Sequence, residues 1–313
     1  MGGNGHHHGH HHGHGHDHGH GHHAHQGSHG TAFAIAVLLN AGFVVAEVIA
    51  SFLSGSAALL ADAGHNLGDV LSLLLAWGAS VLAARPAGPG FTYGLKSSSI
   101  LAAITNVALL WVALGAVLIE TVRRFWQPEP VDGGLMMVVA AIGIAINLGS
   151  ALLFAGGRKS DLNLRAAFQH LLADAVVSAS VVFAGLVIML TGQNWIDPVA
   201  SLIITLGLAW GSWDLLREAV KMGLLAVPAH IDEAAVRGYL ADLPGVARVH
   251  DLHIRPMSTT EVAFTAHFIM PGGHPGDEFL KQVAHELDHR FGIHHATIQV
   301  EASDAGCTVD HAH

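Results

Sequence analysis

The pattern H-x-x-x-D occurs twice within apolar sequence, as His65-Asn-Leu-Gly-Asp69 and His170-Leu-Leu-Ala-Asp174. In a helix, residues four apart share a face, with their Cβ atoms about 5–6 Å apart. Each string therefore offers an imidazole and a carboxylate side by side. Two such pairs facing one another make a two-His, two-Asp set, the ligand number and type of tetrahedral Zn²⁺. A mixed nitrogen and oxygen set suits Zn²⁺ and tolerates Co²⁺ or Cd²⁺, whereas all-oxygen sites favour Mg²⁺, Ca²⁺ or Mn²⁺. Imidazole must lose its proton to bind metal and titrates near neutral pH. Metal and proton therefore compete for His65 and His170. Ionisable groups at membrane depth are costly, which makes both pairs functional candidates by default.

These residues need helices to hold them, and the composition supplies long ones. The 313 residues are 51% hydrophobic and 12% charged, about half the charge of an ordinary soluble domain. The apolar residues fall into six blocks, at 31–53, 57–84, 98–122, 133–156, 164–191 and 197–220. Each is near or above the roughly 20 residues needed to span the hydrocarbon core. The connections carry turn signals such as Ser54-Gly55, Pro86 to Gly94 and Thr191-Gly192. The spacing predicts an α-helical membrane protein with a six-helix transmembrane domain over 31–223.

Basic residues orient the spans. With a cytoplasmic N-terminus the inner side receives Arg85, Lys96, Arg158, Lys159, Arg165, Arg217 and Lys221, and the outer side only Arg123 and Arg124. Both termini are then cytoplasmic. The second and fifth spans run antiparallel, so packing them together sets His65 beside Asp174 and Asp69 beside His170. One turn before His65, Asp62 could orient the imidazole or face the outer vestibule. Asn66, like Asn40, Asn106 and Asn147, reads as an interhelical hydrogen-bonding residue. No phosphate-cradling P-loop pattern occurs, which leaves an ion gradient as the energy source.

Residues 1–30 are almost entirely Gly and His. They read as a disordered arm able to collect Zn²⁺, Ni²⁺ or Cu²⁺ weakly, not as a signal peptide. From about residue 224 the texture becomes that of a small soluble domain, over 224–302, with a flexible tail at 303–313. Helices are predicted at 231–243 and 275–291, and strands at 249–255, 261–270 and 296–301. An αββαβ order gives a small α+β, ferredoxin-like sheet with two helices on one face. Alternation along the first strand sets Asp251 and His253 on one face, opposite His250. On the second helix, His285 and His289 form an i, i+4 metal-compatible pair. The net charge of −10 arises largely here, and no basic stripe invites nucleic acid. One cysteine, Cys307, excludes an intrachain disulfide framework.

The stretch Ser56-Ala-Ala-Leu-Leu-Ala-Asp-Ala-Gly-His-Asn-Leu-Gly-Asp69, with His170-Leu-Leu-Ala-Asp174, resembles the cation diffusion facilitator family in its zinc-transporter branch. The likeness covers roughly residues 30–302. Arg85-Pro86 and Tyr93-Gly94-Leu95-Lys96 also look family-like, although Ser97-Ser98-Ser99 stands where the family commonly continues with an acidic residue. The family's His-rich segment usually lies between the fourth and fifth spans. Only Gly156-Gly-Arg-Lys-Ser-Asp161 stands there, so the N-terminal arm would take its role. The resemblance implies a homodimeric divalent-metal/proton antiporter, not an enzyme. It would export Zn²⁺, and with it cadmium or cobalt, through His65, Asp69, His170 and Asp174. It also implies a cytoplasmic metal-binding dimerisation domain, in which His250, His267 and Glu301 are candidates for a regulatory zinc site, with His285 a further candidate. Partners would be the lipid bilayer, divalent metal ions, protons and a second copy of the chain, and the location a bacterial inner membrane. A membrane-bound metal sensor or storage protein, or a passive divalent-metal channel, are the alternative readings.

Overall fold

The computed structural model describes residues 30–154 and 162–303. The His/Gly arm, the 155–161 connection and all but the first residue of the expected tail lie outside the described residues. Six apolar helices come first: α1 (Gly30–Ser54), α2 (Ala57–Ala83), α3 (Ser98–Trp126), α4 (Gly133–Phe154), α5 (Leu162–Thr191) and α6 (Ile196–Gly223). Five of these, α2 to α6, are long and apolar enough to cross a membrane, and α1 contributes a shorter apolar stretch, Asn40–Ser54. Large apolar side chains such as Phe52, Trp77, Leu190 and Trp210 point outward, the pattern of a bundle whose solvent is lipid.

Small residues set the helix spacing. Ala58, Ala61, Ala140 and Ala184 are buried with Val181 and Met136 in the bundle core. Between α4 and α5 the backbones meet at Gly133, where a Cβ would stand 2.7 Å from the Gly185 carbonyl oxygen. Only glycine permits that approach, as is usual where membrane helices pack without a hydrophobic drive.

The start of α2, the helix carrying His65 and Asp69, is tied down by its neighbours. Gly55 turns the chain at φ +64°. Ser56 then caps the helix, its Oγ accepting from Leu59 N at 3.0 Å. The fully buried Asp197 of α6 accepts from Ser56 Oγ and Ala57 N, both at 2.6 Å, and from Ala58 N at 3.1 Å. It thereby satisfies amide groups that a helix start otherwise leaves open. Its own charge is met by Arg124 of α3 at 3.6 Å, and Arg124 also donates to the Gly55 carbonyl. Three helices are thus locked together at one end of the bundle.

The C-terminal domain comprises α7 (Glu233–Ala241), β1 (Arg248–Pro256), β2 (Val262–Ile269), α8 (Asp277–Phe291) and β3 (His295–Glu301). The sheet order is β1-β2-β3, with β1 and β2 antiparallel and β2 and β3 parallel. Val236 and Leu240 of α7 and Val283 and Leu287 of α8 pack with Ile254, Phe264 and Phe268 of the sheet into one core. Both helices therefore cover the same face, and the other face is free of them. The α2–α3 loop docks on this domain. Lys96 pairs with Glu261, Ser97 Oγ donates to the Met257 carbonyl at 3.1 Å, and Thr259 N donates to Ser99 Oγ at 3.0 Å. The Tyr93 ring meets His295 edge-on at 5.6 Å. The serines that stand where an acidic residue is common in the family thus make contacts of their own.

Candidate metal centre

The start of α2 lies against the start of α6, and α5 ends one short turn before α6. Helices α2 and α5 therefore run antiparallel, and the two H-x-x-x-D pairs meet head to tail. His65 Nε2 lies 3.0 Å from Asp174 Oδ1, and His170 Nε2 lies 3.5 Å from Asp69 Oδ2. The partners four residues apart on the same helix are slightly farther, at 3.9 Å for His65 with Asp69 and 3.7 Å for His170 with Asp174. Ligand atoms of His65, Asp69 and Asp174 lie within 4.8 Å of one another, and His170 joins through both carboxylates. The imidazoles stand edge-on, with ring centroids 6.1 Å apart.

Exposure is graded across the cluster. The Asp174 side chain is 5% exposed and that of His65 16%, against 32% for Asp69 and 44% for His170. Asp69 and His170 are the members nearer the end of the bundle on which the C-terminal domain docks. The four-residue cluster therefore opens toward that end and is closed toward the Asp197 lock.

Around the cluster lies a polar set reaching a third helix. Asn66 Nδ2 donates to Glu47 Oε2 of α1 at 2.9 Å, and Ser178 Oγ of α5 donates to Asp62 Oδ2 at 2.8 Å. Asn66 is the interhelical bonding residue its position suggests. Asp62 takes neither role read from the sequence: it is fully buried and bonds Ser178, with no direct bond to the His65 ring.

A second His/carboxylate cluster forms on the helix-free face of the sheet. His250 and His267 sit directly opposite in the β1–β2 register, and Glu301 closes β3 beside them. His250 Nε2 lies 3.2 Å from Glu301 Oε2, and His267 Nδ1 lies 2.9 Å from Glu301 Oε1. The latter nitrogen is buried and lies close to the carboxylate without hydrogen-bond geometry. Ligand atoms of all three residues lie within 4.8 Å of one another. Strict alternation along β1 fails here. A bulge between His250 and His253, with Asp251 at φ +47°, returns His253 to the face of His250 and turns Asp251 into the cluster. Asp251 lies 3.4 Å from His267 Nε2 and 3.0 Å from His253 Nε2. Such bulges re-aim side chains at sites. The structure does not bring His285 here: it lies on the exposed side of α8, across the sheet, 6.1 Å from His289 between ring centroids.

Two buried acids of the membrane unit, Glu47 and Asp197, escape the motif-based reading. Glu47 is the lone carboxylate of apolar α1, and Asp197 stands at the start of α6 ahead of a long uncharged run, which is itself the signal that could have found them.

The architecture is that of an integral membrane protein whose helices carry ionisable groups at mid-depth and whose α+β domain docks on one end. Residues 33–222 match the cation efflux transmembrane domain, and residues 228–303 match the cation efflux protein cytoplasmic domain. The chain belongs to the cation efflux family, a family of transporters and not of enzymes. It is 36% identical over 287 residues to zinc transporter ZitB of Escherichia coli, covering 89% of this chain and 91% of that protein. It is 31% identical over 281 residues to the cadmium, cobalt and zinc/H(+)-K(+) antiporter of Bacillus subtilis, covering 88% and 90%. The metal cation efflux system protein CzcD of Cupriavidus metallidurans is 33% identical over 280 residues, covering 89% of each chain.

Proposed function

We propose that this protein exports Zn²⁺, and with lower preference Cd²⁺ or Co²⁺, in exchange for protons at His65, Asp69, His170 and Asp174. The carrying observation is the cross-pairing of two His/Asp pairs on antiparallel α2 and α5. Two neutral imidazoles and two carboxylates match the charge of one Zn²⁺. When the ion leaves, one proton on each imidazole restores that neutrality, so exchange avoids a bare pair of negative charges in the membrane. The graded exposure supports a site open to the side of the C-terminal domain. That side is the cytoplasm if the basic residues orient the bundle as expected, in keeping with efflux. The names of the E. coli and B. subtilis relatives favour the same substrates.

His250, His267 and Glu301, with Asp251 as fourth donor, form a regulatory zinc site in this reading, on a domain through which two copies pair. The donor set fits Zn²⁺ in type and number. Zinc there would draw β1, β2 and β3 together, while His250, His267 and the two carboxylates fix its position. The 1–30 arm gathers metal for the exporter, which sits in a bacterial inner membrane.

The test is zinc flux into proteoliposomes under an imposed pH gradient. Flux should follow the gradient in size and direction. Flux indifferent to it would leave a passive channel, and zinc binding without flux a sensor or store.

A further inference from the structure

Glu47 of α1 and Asp62 of α2 are both fully buried and in side-chain hydrogen-bonding contact with each other. Their outer oxygens are served: Asn66 donates to Glu47 Oε2 and Ser178 to Asp62 Oδ2. Glu47 Oε1 and Asp62 Oδ1 are buried with no donor from any other group. Two ionised carboxylates offer only acceptors, and two neighbouring like charges cannot both persist in a medium of low dielectric. A proton between them removes both problems, giving one charge, one strong hydrogen bond and no orphan oxygen.

We propose that Glu47 and Asp62 form a proton-binding dyad, a second titrating site beside the metal cluster, which gives up its proton when zinc arrives. The two carboxyl groups share one proton and one negative charge. The dyad lies between the four-residue cluster and the α1–α2 turn, one helical turn from His65 on α2 and one from Asp174 on α5. Those are the charged groups facing it from the two helices, and α4 offers none among its described residues. A divalent ion arriving at the cluster raises the local potential, which favours loss of the dyad proton. The proton leaves as zinc binds and returns as zinc is released, adding to the imidazole protons in the same direction. The dyad joins α1 to α2 and reaches α5 through Ser178, so its charge state bears on how these helices pack. This inference rests on the proposed metal/proton exchange.

The test needs no flux. Protons released per zinc bound are counted by calorimetry in buffers of differing ionisation enthalpy, and the infrared carbonyl stretch of a protonated carboxylic acid is followed in the purified full-length protein. In the wild type at neutral pH that band should be present and should weaken on adding zinc. In Glu47→Gln the amide keeps the hydrogen bond and the single charge. Zinc affinity at neutral pH should fall, because by reciprocal linkage a dyad that cannot lose its proton binds the ion less tightly, while proton release falls by up to one per zinc and the band change disappears. Equal proton release in the two proteins, or no zinc-sensitive carboxylic band in the wild type, would overturn the dyad. The infrared result stands even if the variant fails to fold. Antiport fails separately, through flux that ignores the pH gradient while the dyad band remains.

Discussion

The molecule assembles nearly the same set of His and carboxylate side chains twice by different means. In the membrane, two helices each contribute a His and an Asp at i, i+4, and the cluster closes only where α2 meets α5. In the C-terminal domain, three strands contribute His250, His267, Asp251 and Glu301 through register and a bulge. The helical version is divided between two separate helices. The sheet version lies on one hydrogen-bonded body. A site that must release its ion suits the first construction, and a site that must report occupancy suits the second. If that contrast holds, damage to the membrane cluster removes movement of metal, and damage to the sheet cluster removes only its response to metal.

The hardest blow to the contrast comes from Asp174→Ala. Asp174 bridges both helices, close to His65 and His170, and is almost fully buried. Zinc flux should fall to the level of empty vesicles while the helical content by circular dichroism is kept. Persistent flux would mean that the cluster does not carry the ion. Next in size is Asp197→Ala. It removes the acceptor for three donors at the start of α2 and leaves Arg124 short of a partner. Breaking a buried ion pair costs about 3 kcal/mol or more, seen as a lower unfolding midpoint in detergent. Zinc binding to the sheet cluster should survive, because its residues all lie on β1, β2 and β3 of the C-terminal domain. Loss of both together would mean that the two sites are one cooperative unit.

These two residues also mark what the sequence discloses. Asp174 is legible because helical periodicity is local: a spacing of four puts it beside His170 whatever the rest of the fold does. The six apolar blocks and the αββαβ order are legible for the same reason, with ends within a few residues of α1 to α8 and β1 to β3. Asp197 and Glu47 carry no spacing signal. Their partners lie on other helices, at Ser56 and Asp62, and only packing brings them together. Asp251 is hidden for a third reason. Alternation assumes a regular strand, and one inserted residue at φ +47° reverses the parity of everything beyond it. His285 errs the other way, since its i, i+4 partner is real but α8 turns the pair to the far side of the sheet.

A smaller effect is expected from Glu301→Ala, and it probes the second half of the contrast. Glu301 meets both imidazoles of the sheet cluster. Zinc bound by the domain should weaken by roughly tenfold or more, as when a metal site loses a supporting group. Flux at saturating zinc should persist, with its rise displaced to higher zinc. A complete loss of flux would show that the sheet cluster lies on the transport route and that the division of labour is wrong.

Smallest of all is Lys96→Ala, which acts on the joint between the two regions. The Lys96–Glu261 pair is one-third exposed on each side, so by itself it contributes only about 0.2–1 kcal/mol. Around it stand the Ser97 and Ser99 bonds and the Tyr93–His295 ring contact, which the variant leaves in place. The joint should therefore hold, with the unfolding midpoint shifted by little and maximal flux near that of the wild type. What should change is the zinc concentration at which flux responds, because the loop continues directly into α2 and α3. The displacement should be smaller than for Glu301→Ala and in the same direction, since both loosen the same connection at different points. A displacement in Lys96→Ala that persists in Glu301→Ala/Lys96→Ala as a full additional step would place the two residues on independent routes, and the joint would not be where the sheet cluster speaks to the membrane cluster.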